Sequence, residues 1–166
     1  MTRISNIFAG GMLISAFTML LDQWSKWYIM QVLRVEEGEI HLLSFFKLVM
    51  VWNQGISFGM MSGNSGMWRW VLVALAAIIT GILLVWLWRS VRLYDAVALG
   101  LVIGGAAGNV IDRFRFGAVA DFFYFYHGEL YWPAFNIADS AIFIGVVLLC
   151  WDSIVNPTPS TKNAGE

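Results

Sequence analysis

Four long uncharged segments constrain this chain more than any other feature of its sequence. They occupy residues 4–21, 70–88, 96–111 and 140–151. A helix needs about 20 apolar residues, rising 1.5 Å each, to cross the roughly 30 Å hydrocarbon layer of a bilayer. The first two segments approach that length, whereas the last two must draw flanking polar groups to the interface. The pattern therefore predicts four membrane-spanning helices.

The composition supports a membrane protein and excludes several function classes. Of the 166 residues, 59% are hydrophobic and 13% are charged. In a typical soluble domain, about a quarter of the residues are charged. The 10 basic and 11 acidic residues provide no basic field for nucleic acid. Cys150 is the single cysteine, which excludes an intrachain disulfide and a metal cluster built on cysteines.

Loop charges leave the orientation of the helices open. Four spans place both termini on one side of the membrane. Arg89 and Arg92 lie in the short loop on that side and favour the cytoplasm by the positive-inside rule. Several Lys and Arg residues near the opposite side oppose that assignment, so charge alone does not decide.

The segment after the first span is predicted to form a small surface β-sheet. A turn-like EEGE precedes IHLLSFFKLVMVW, which is rich in β-branched and aromatic residues. The predicted fold is an α-helical integral membrane protein with four transmembrane helices and this sheet between helices 1 and 2. We expect one domain over residues 1–155, spans at roughly 4–28, 68–88, 95–113 and 136–155, a β segment at 36–62 and a disordered tail at 156–166.

Two groups of polar residues at membrane depth have neighbours that can neutralise them. Asp22 and Lys26 are spaced i,i+4, so they share a helix face and are predicted to form a structural ion pair. In GGAAGNVIDRF, two glycines four residues apart let a neighbouring helix approach closely. One turn further, Asn109 and Arg113 share a face, where Arg113 can pair with Asp112 or hold another carboxylate ionised.

Asp121 and Asp139 have no such neighbours. Neither has a Lys or Arg three or four residues away, and both can reach the same membrane face. Two carboxylates in a poorly solvated site share a proton, so one can activate water while the other donates to a carbonyl oxygen. Asn136, three residues before Asp139, can orient them. Spacing alone fits a proton-coupled transporter or a polar contact between helices equally well.

Other hydrolytic chemistries have less support in this sequence. His41 and His127 are the only histidines, and neither has a second ligand at the spacing of a zinc motif. The sequence contains no G-x-S-x-G nucleophile motif and no phosphate-binding loop.

Five motifs, in order along the chain, resemble the lipoprotein signal peptidase (signal peptidase II) family. They are DQWSK, WNQGISFG, GGAAGNVIDRF, VADFF and FNIADSAI, and they run from Asp22 to Ile142. The resemblance implies an intramembrane aspartyl peptidase of the bacterial cytoplasmic membrane with both termini in the cytoplasm. It places the surface sheet and the active site at the extracytoplasmic face.

The resemblance also assigns residues and partners. It implies that Asp121 and Asp139 are catalytic, and that four polar residues line or support the site, namely Asn53, Asn109, Arg113 and Asn136. Residues 124–132 would form a loop or short helix over the cleft. The implied substrate is a diacylglyceryl prolipoprotein, cleaved just before its lipidated cysteine. We expect no metal or organic cofactor, no nucleic acid, the lipid bilayer as environment, and a monomer.

Overall fold

The computed structural model of the chain describes residues 2–55 and 65–156. It contains four long helices: α1 (Thr2–Trp27), α2 (Ser65–Arg89), α3 (Leu93–Phe116) and α4 (Ile137–Val155). Each is long and apolar enough to cross a membrane, which confirms the predicted number of spans. Part of the predicted β segment, at 56–62, and the tail at 157–166 lie outside the described residues.

Helix α3 lies at the centre of the bundle. Ten of its 24 residues are buried, whereas the other three helices bury at most 22% of their most apolar stretch. Glycines permit the close packing, because a Cβ atom at Gly104 would overlap the carbonyl oxygen of Ser15 in α1. A Cβ atom at Gly105 would lie 2.5 Å from the carbonyl oxygen of Ala138 in α4. Gly104, which belongs to the predicted small-residue face, therefore packs against α1, and the adjacent Gly105 packs against α4.

The surface sheet has four antiparallel strands in the order β1-β2-β3-β4. Strands β1 (Ile40–Leu43) and β2 (Phe46–Asn53) follow α1, as predicted, while β3 (Val119–His127) and β4 (Leu130–Tyr131) come from the segment between α3 and α4. The expectation of a loop or short helix at residues 124–132 is wrong. These residues form a hairpin, because aromatic side chains favour the extended backbone and Gly128 (φ 59°) supports the tight turn.

The sheet is held against the end of α1 by a small apolar core. Ile29 follows α1, Leu48 lies on β2 and Phe122 on β3, and all three are buried together. Helix α3 is capped at its C-terminus by Gly117, whose left-handed φ of 82° turns the chain directly into β3. This short connection places the start of β3 beside the end of α3 and the beginning of α4.

Candidate active site

Asp121 lies at the third position of β3, and only 1% of it is exposed. The pairing of β2 with β3 brings Asn53 beside it. Asn53 Nδ2 donates to Asp121 Oδ2 at 2.9 Å, and Asn136 Nδ2 donates to Asp121 Oδ1 at 2.7 Å. Both oxygens of this buried carboxyl group are therefore engaged by side-chain amides.

Asp139 lies in the first turn of α4, where the helix begins with a reciprocal cap. The main-chain N–H of Asp139 donates to Asn136 Oδ1 at 2.8 Å, and the main-chain N–H of Asn136 donates to Asp139 Oδ2 at 3.3 Å. Asn109 Nδ2 on α3 donates to Asp139 Oδ1 at 2.8 Å. Asp121 and Asp139 thus both hydrogen-bond to Asn136.

Each of the three amides is oriented by a second contact on its oxygen. Asn53 Oδ1 accepts from the main-chain N–H of Gly55 at 2.7 Å, and Asn136 Oδ1 accepts from Asp139. Asn109 Oδ1 accepts from Asn136 Nδ2 at 3.3 Å. Because each oxygen has a donor, each NH₂ group faces a carboxylate. The carboxyl groups are held by donors of fixed direction.

The surroundings of Asp121 favour its neutral form. Burial raises the pKa of Asp121 from its ordinary value of 3.8 to about 7, and the negative charge of Asp139 adds to the increase. The hydrogen bonds from Asn53 and Asn136 and the charge of Lys26 act in the opposite direction. The site can therefore hold one proton near neutral pH.

Asp22 and Lys26 form the predicted ion pair, but a third charge joins it. Lys26 Nζ lies 2.8 Å from Asp22 Oδ2 and 2.7 Å from Asp112 Oδ2, and all three side chains are buried. Asp112 is therefore the partner of Lys26 rather than of Arg113. The Arg113 guanidinium donates instead to the main-chain oxygen of Asn109 at 3.2 Å, which places it beside the site.

Comparison with known proteins identifies the family. The family described as Signal peptidase (SPase) II matches residues 14–155. The chain belongs to the signal peptidase II family. Family membership and the four spanning helices make it a multi-pass peptidase of the bacterial inner membrane.

Relatives resemble this signal peptidase II chain over most of their length. The lipoprotein signal peptidase of Beijerinckia indica subsp. indica is 42% identical, covering 92% of this chain and 95% of its own. That of Methylorubrum extorquens is 44% identical, with 95% and 94% covered. A solved bacterial membrane enzyme, determined by the in meso method at 1.9 Å resolution, matches with a TM-score of 0.76 and 28% identity, covering 89% of this chain and 94% of that one.

Sequence reasoning missed part of the polar network in this signal peptidase II chain. Gln23 Nε2 donates to Asp112 Oδ1 at 2.8 Å and to the main-chain oxygen of Gly108 at 3.2 Å. Gln23 stands beside Asp22 in a largely apolar helix, and an amide at that depth was the available signal. No local spacing connects it to Asp112, because the two residues lie on different helices.

An apolar cavity opens beside Asp139 on the outer side of α4. Its volume is about 390 Å³, and it is lined by Trp132, Phe135, Asp139, Ser140, Phe143 and Ile144. Phe143 is 70% exposed and Ile144 50%, so the cavity continues into the membrane-facing surface of the helix. One carboxylate of the pair therefore borders a hydrophobic space that lipid can reach.

Proposed function

We propose that this peptidase removes signal peptides from diacylglyceryl-modified prolipoproteins, cleaving just before the lipidated cysteine. Aspartic-peptidase chemistry requires two carboxyl groups that share a proton. One observation carries the proposal: Asp121 and Asp139 come from different elements, yet both hydrogen-bond to Asn136. The substrate class is supported by the name of the relatives, which are lipoprotein signal peptidases.

The environments of the two aspartates suggest different roles. Asp139 lies in the first turn of α4, where the helix dipole favours a negative charge, and it accepts two N–H hydrogen bonds. Asp121 is almost completely buried, with a pKa raised to about 7 by that burial and by Asp139. We assign Asp139 as the ionised general base and Asp121 as the proton donor of the resting pair.

The reaction follows from this assignment. Asp139 takes a proton from water while the water oxygen bonds to the scissile carbonyl carbon, and Asp121 gives its proton to the carbonyl oxygen. In the resulting tetrahedral diol the C–N bond breaks, and the departing nitrogen takes the proton from Asp139. One diol hydroxyl returns its proton to Asp121. Both aspartates then regain their starting protonation states.

Three amides and one arginine support the pair in this mechanism. The amides of Asn53, Asn109 and Asn136 restrict the two carboxyl groups to fixed directions. Such preorganisation lowers the barrier because little reorientation is needed in the transition state. Arg113 adds a positive charge near both aspartates. We propose that it favours the single negative charge that the pair carries.

The cavity beside Asp139 offers a route for a lipid-anchored substrate. A diacylglyceryl chain stays in the bilayer, so the substrate must arrive laterally, and the cavity opens on the membrane-facing side of α4. Asp139 lies at the start of α4 and Asp121 just after α3, at the membrane face opposite the chain termini. With cytoplasmic termini, that face is extracytoplasmic, where water reaches the scissile bond.

The test uses purified protein in detergent and a diacylglyceryl prolipoprotein, with cleavage followed by gel shift. Asp121→Asn and Asp139→Asn should each lower the rate by at least about 10²-fold, because each removes one proton-transfer group. Asp152→Asn is the matched control, since Asp152 pairs with Arg92 at the other end of the bundle. Wild-type protein without cleavage, or an active aspartate variant, would contradict the proposal.

A further inference from the structure

We infer that Asp22 and Asp112, bridged by Lys26, are positioning residues that fix the main chain immediately before each catalytic aspartate. The inference rests on the proposed function, because it concerns how the same aspartate pair is held. The three side chains form what we call the buried ionic cluster. None of the three contributes a hydrogen bond to the carboxyl group of Asp121 or Asp139 within the described residues.

Each carboxylate of the cluster accepts a hydrogen bond from the residue that precedes a catalytic aspartate. Asp112 Oδ2 accepts from the main-chain N–H of Ala120 at 3.1 Å, and Asp22 Oδ1 accepts from the main-chain N–H of Ala138 at 2.9 Å. Ala120 and Ala138 are completely buried. The peptide groups leading into β3 and α4 are thus tied to side chains of α3 and α1.

Lys26 joins the two attachments into one unit. Its Nζ atom lies 2.8 Å from Asp22 Oδ2 and 2.7 Å from Asp112 Oδ2. Gln23 Nε2 adds a bond of 2.8 Å to Asp112 Oδ1 and one of 3.2 Å to Asp22 Oδ2. A displacement of one carboxylate therefore disturbs the other. The cluster holds the two main-chain segments at one separation.

A third link reaches the pair through Asn109. Lys26 Nζ lies 3.5 Å from Asn109 Oδ1, and Asn109 Nδ2 donates to Asp139 Oδ1 at 2.8 Å. The same lysine therefore contributes to the orientation of the amide that holds Asp139. All of these links converge on the distance and direction between the two catalytic carboxyl groups.

The cost of burying these charges argues that the cluster does more than stabilise the bundle. Two carboxylates and one ammonium group lose nearly all contact with water, and apolar side chains of similar volume often give equal or greater stability. Buried polar groups can instead specify one geometry. In this cluster each carboxylate holds the residue that precedes a catalytic aspartate. This arrangement is consistent with a role in specifying one geometry.

Misplaced aspartates should change the chemistry in two measurable ways. A displacement of about 1 Å can cost on the order of 10²-fold in rate, because reacting groups no longer align. In general, two carboxyl groups that share a proton titrate as a pair, and the strength of their coupling sets the separation between the two limits of a bell-shaped pH profile. Weaker coupling brings these limits together. Charged groups near Asp121 are Asp139, Lys26 and Arg113, and all remain in the variants below.

The experiment compares three substitutions of Asp112 in the full-length protein, assayed with a diacylglyceryl prolipoprotein. Asp112→Ala removes the acceptor of the Ala120 N–H and should lower kcat by on the order of 10²-fold, with KM changed less than threefold and a narrower pH profile. Asp112→Asn keeps an oxygen acceptor, so its kcat should be at least tenfold higher than that of Asp112→Ala. Asp112→Glu keeps the negative charge but displaces it. Its kcat should therefore be lower than that of the wild type, while the protein stays folded.

Leu99→Ala is the matched control for lost stability. Leu99 is fully buried in α3, in the apolar core near Leu87 and away from the ionic cluster. It should lower the unfolding temperature without changing kcat per folded molecule or the width of the pH profile.

The outcomes separate the two proposals. Wild-type kcat and pH profile in Asp112→Ala, with only a lower unfolding temperature, overturn the positioning role. If Asp112→Ala does not fold, Asp112→Glu decides, and wild-type kcat in that variant also overturns it. Wild-type protein that fails to cleave overturns the proposed function itself, whereas cleaving wild type with unaffected Asp112 variants overturns only this inference.

Discussion

Asn136 donates from its side-chain amide to the carboxyl group of Asp121 at 2.7 Å, although it lies 15 residues further along the chain. The same side chain caps α4 through its oxygen, which accepts from the main-chain N–H of Asp139. One residue therefore begins the helix that carries one aspartate and binds the other aspartate directly. Helix capping and the geometry of the candidate active site are joined in this side chain.

The two tasks of Asn136 can be separated by substitution. Asn136→Ser keeps an N-cap oxygen but lacks the amide donor, so it should retain stability and lose activity. Asn136→Ala loses both, and it should also destabilise the protein by about 1 kcal/mol. Thermal unfolding in detergent and cleavage rate measure the two effects. Wild-type kcat in Asn136→Ser would show that the bond to Asp121 is dispensable.

The free energy of unfolding should decrease as pH rises, because of Asp121. Folding raises the pKa of Asp121 from 3.8 to about 7, so between these values the folded chain holds a proton that the unfolded chain has released. The free energy of unfolding then decreases as pH rises through that window, by no more than about 1.4 kcal/mol per pH unit. Unfolding measured at pH 5 and pH 8 should show this decrease.

Asp121→Asn provides the control for the pH effect. Asparagine does not titrate, so the variant should lose most of the difference in unfolding temperature between pH 5 and pH 8. An unchanged difference would assign the pH dependence to other groups.

Gly108 should not tolerate a side chain. A Cβ atom there would lie 2.5 Å from Asp22 Oδ2, inside the buried ionic cluster. Gly108→Ala should therefore destabilise the protein by about 1–3 kcal/mol and lower its activity. Gly81→Ala is the matched control, because a Cβ atom at Gly81 in α2 meets nothing within 4 Å. Alanine favours helix there, so equal loss of stability in both variants, measured by thermal unfolding, would refute the steric argument.

The cavity beside Asp139 should affect substrate binding. Ile144→Trp places a larger side chain in its wall and should raise KM for the lipidated substrate by about 10-fold, equivalent to about 1.4 kcal/mol. Ile154→Trp is the control, since Ile154 is also exposed on α4 but does not line the cavity. Steady-state cleavage at several substrate concentrations gives the comparison. Equal KM values in the two variants would show that the substrate does not use this cavity.

Part of the site was predictable because its signals are local. Asp121 and Asp139 lack charged neighbours at helical spacing, and Asn136 stands three residues before Asp139, as an N-cap requires. The partner of Asp112 was not predictable, since Arg113 is adjacent in sequence and Lys26 is on another helix. Strand β3 was also missed, because it pairs with β2, which precedes α2 in the chain.

By itself, the sequence determined four spanning helices. The length of an apolar segment is a local property, and it decides whether the segment can cross the bilayer. It also determined the family, through motifs spread over most of the chain. Only the tertiary structure decided which polar groups meet. Asp22 binds the main chain of Ala138 across 116 residues, and such a contact is created by close helix packing rather than by any spacing within one helix.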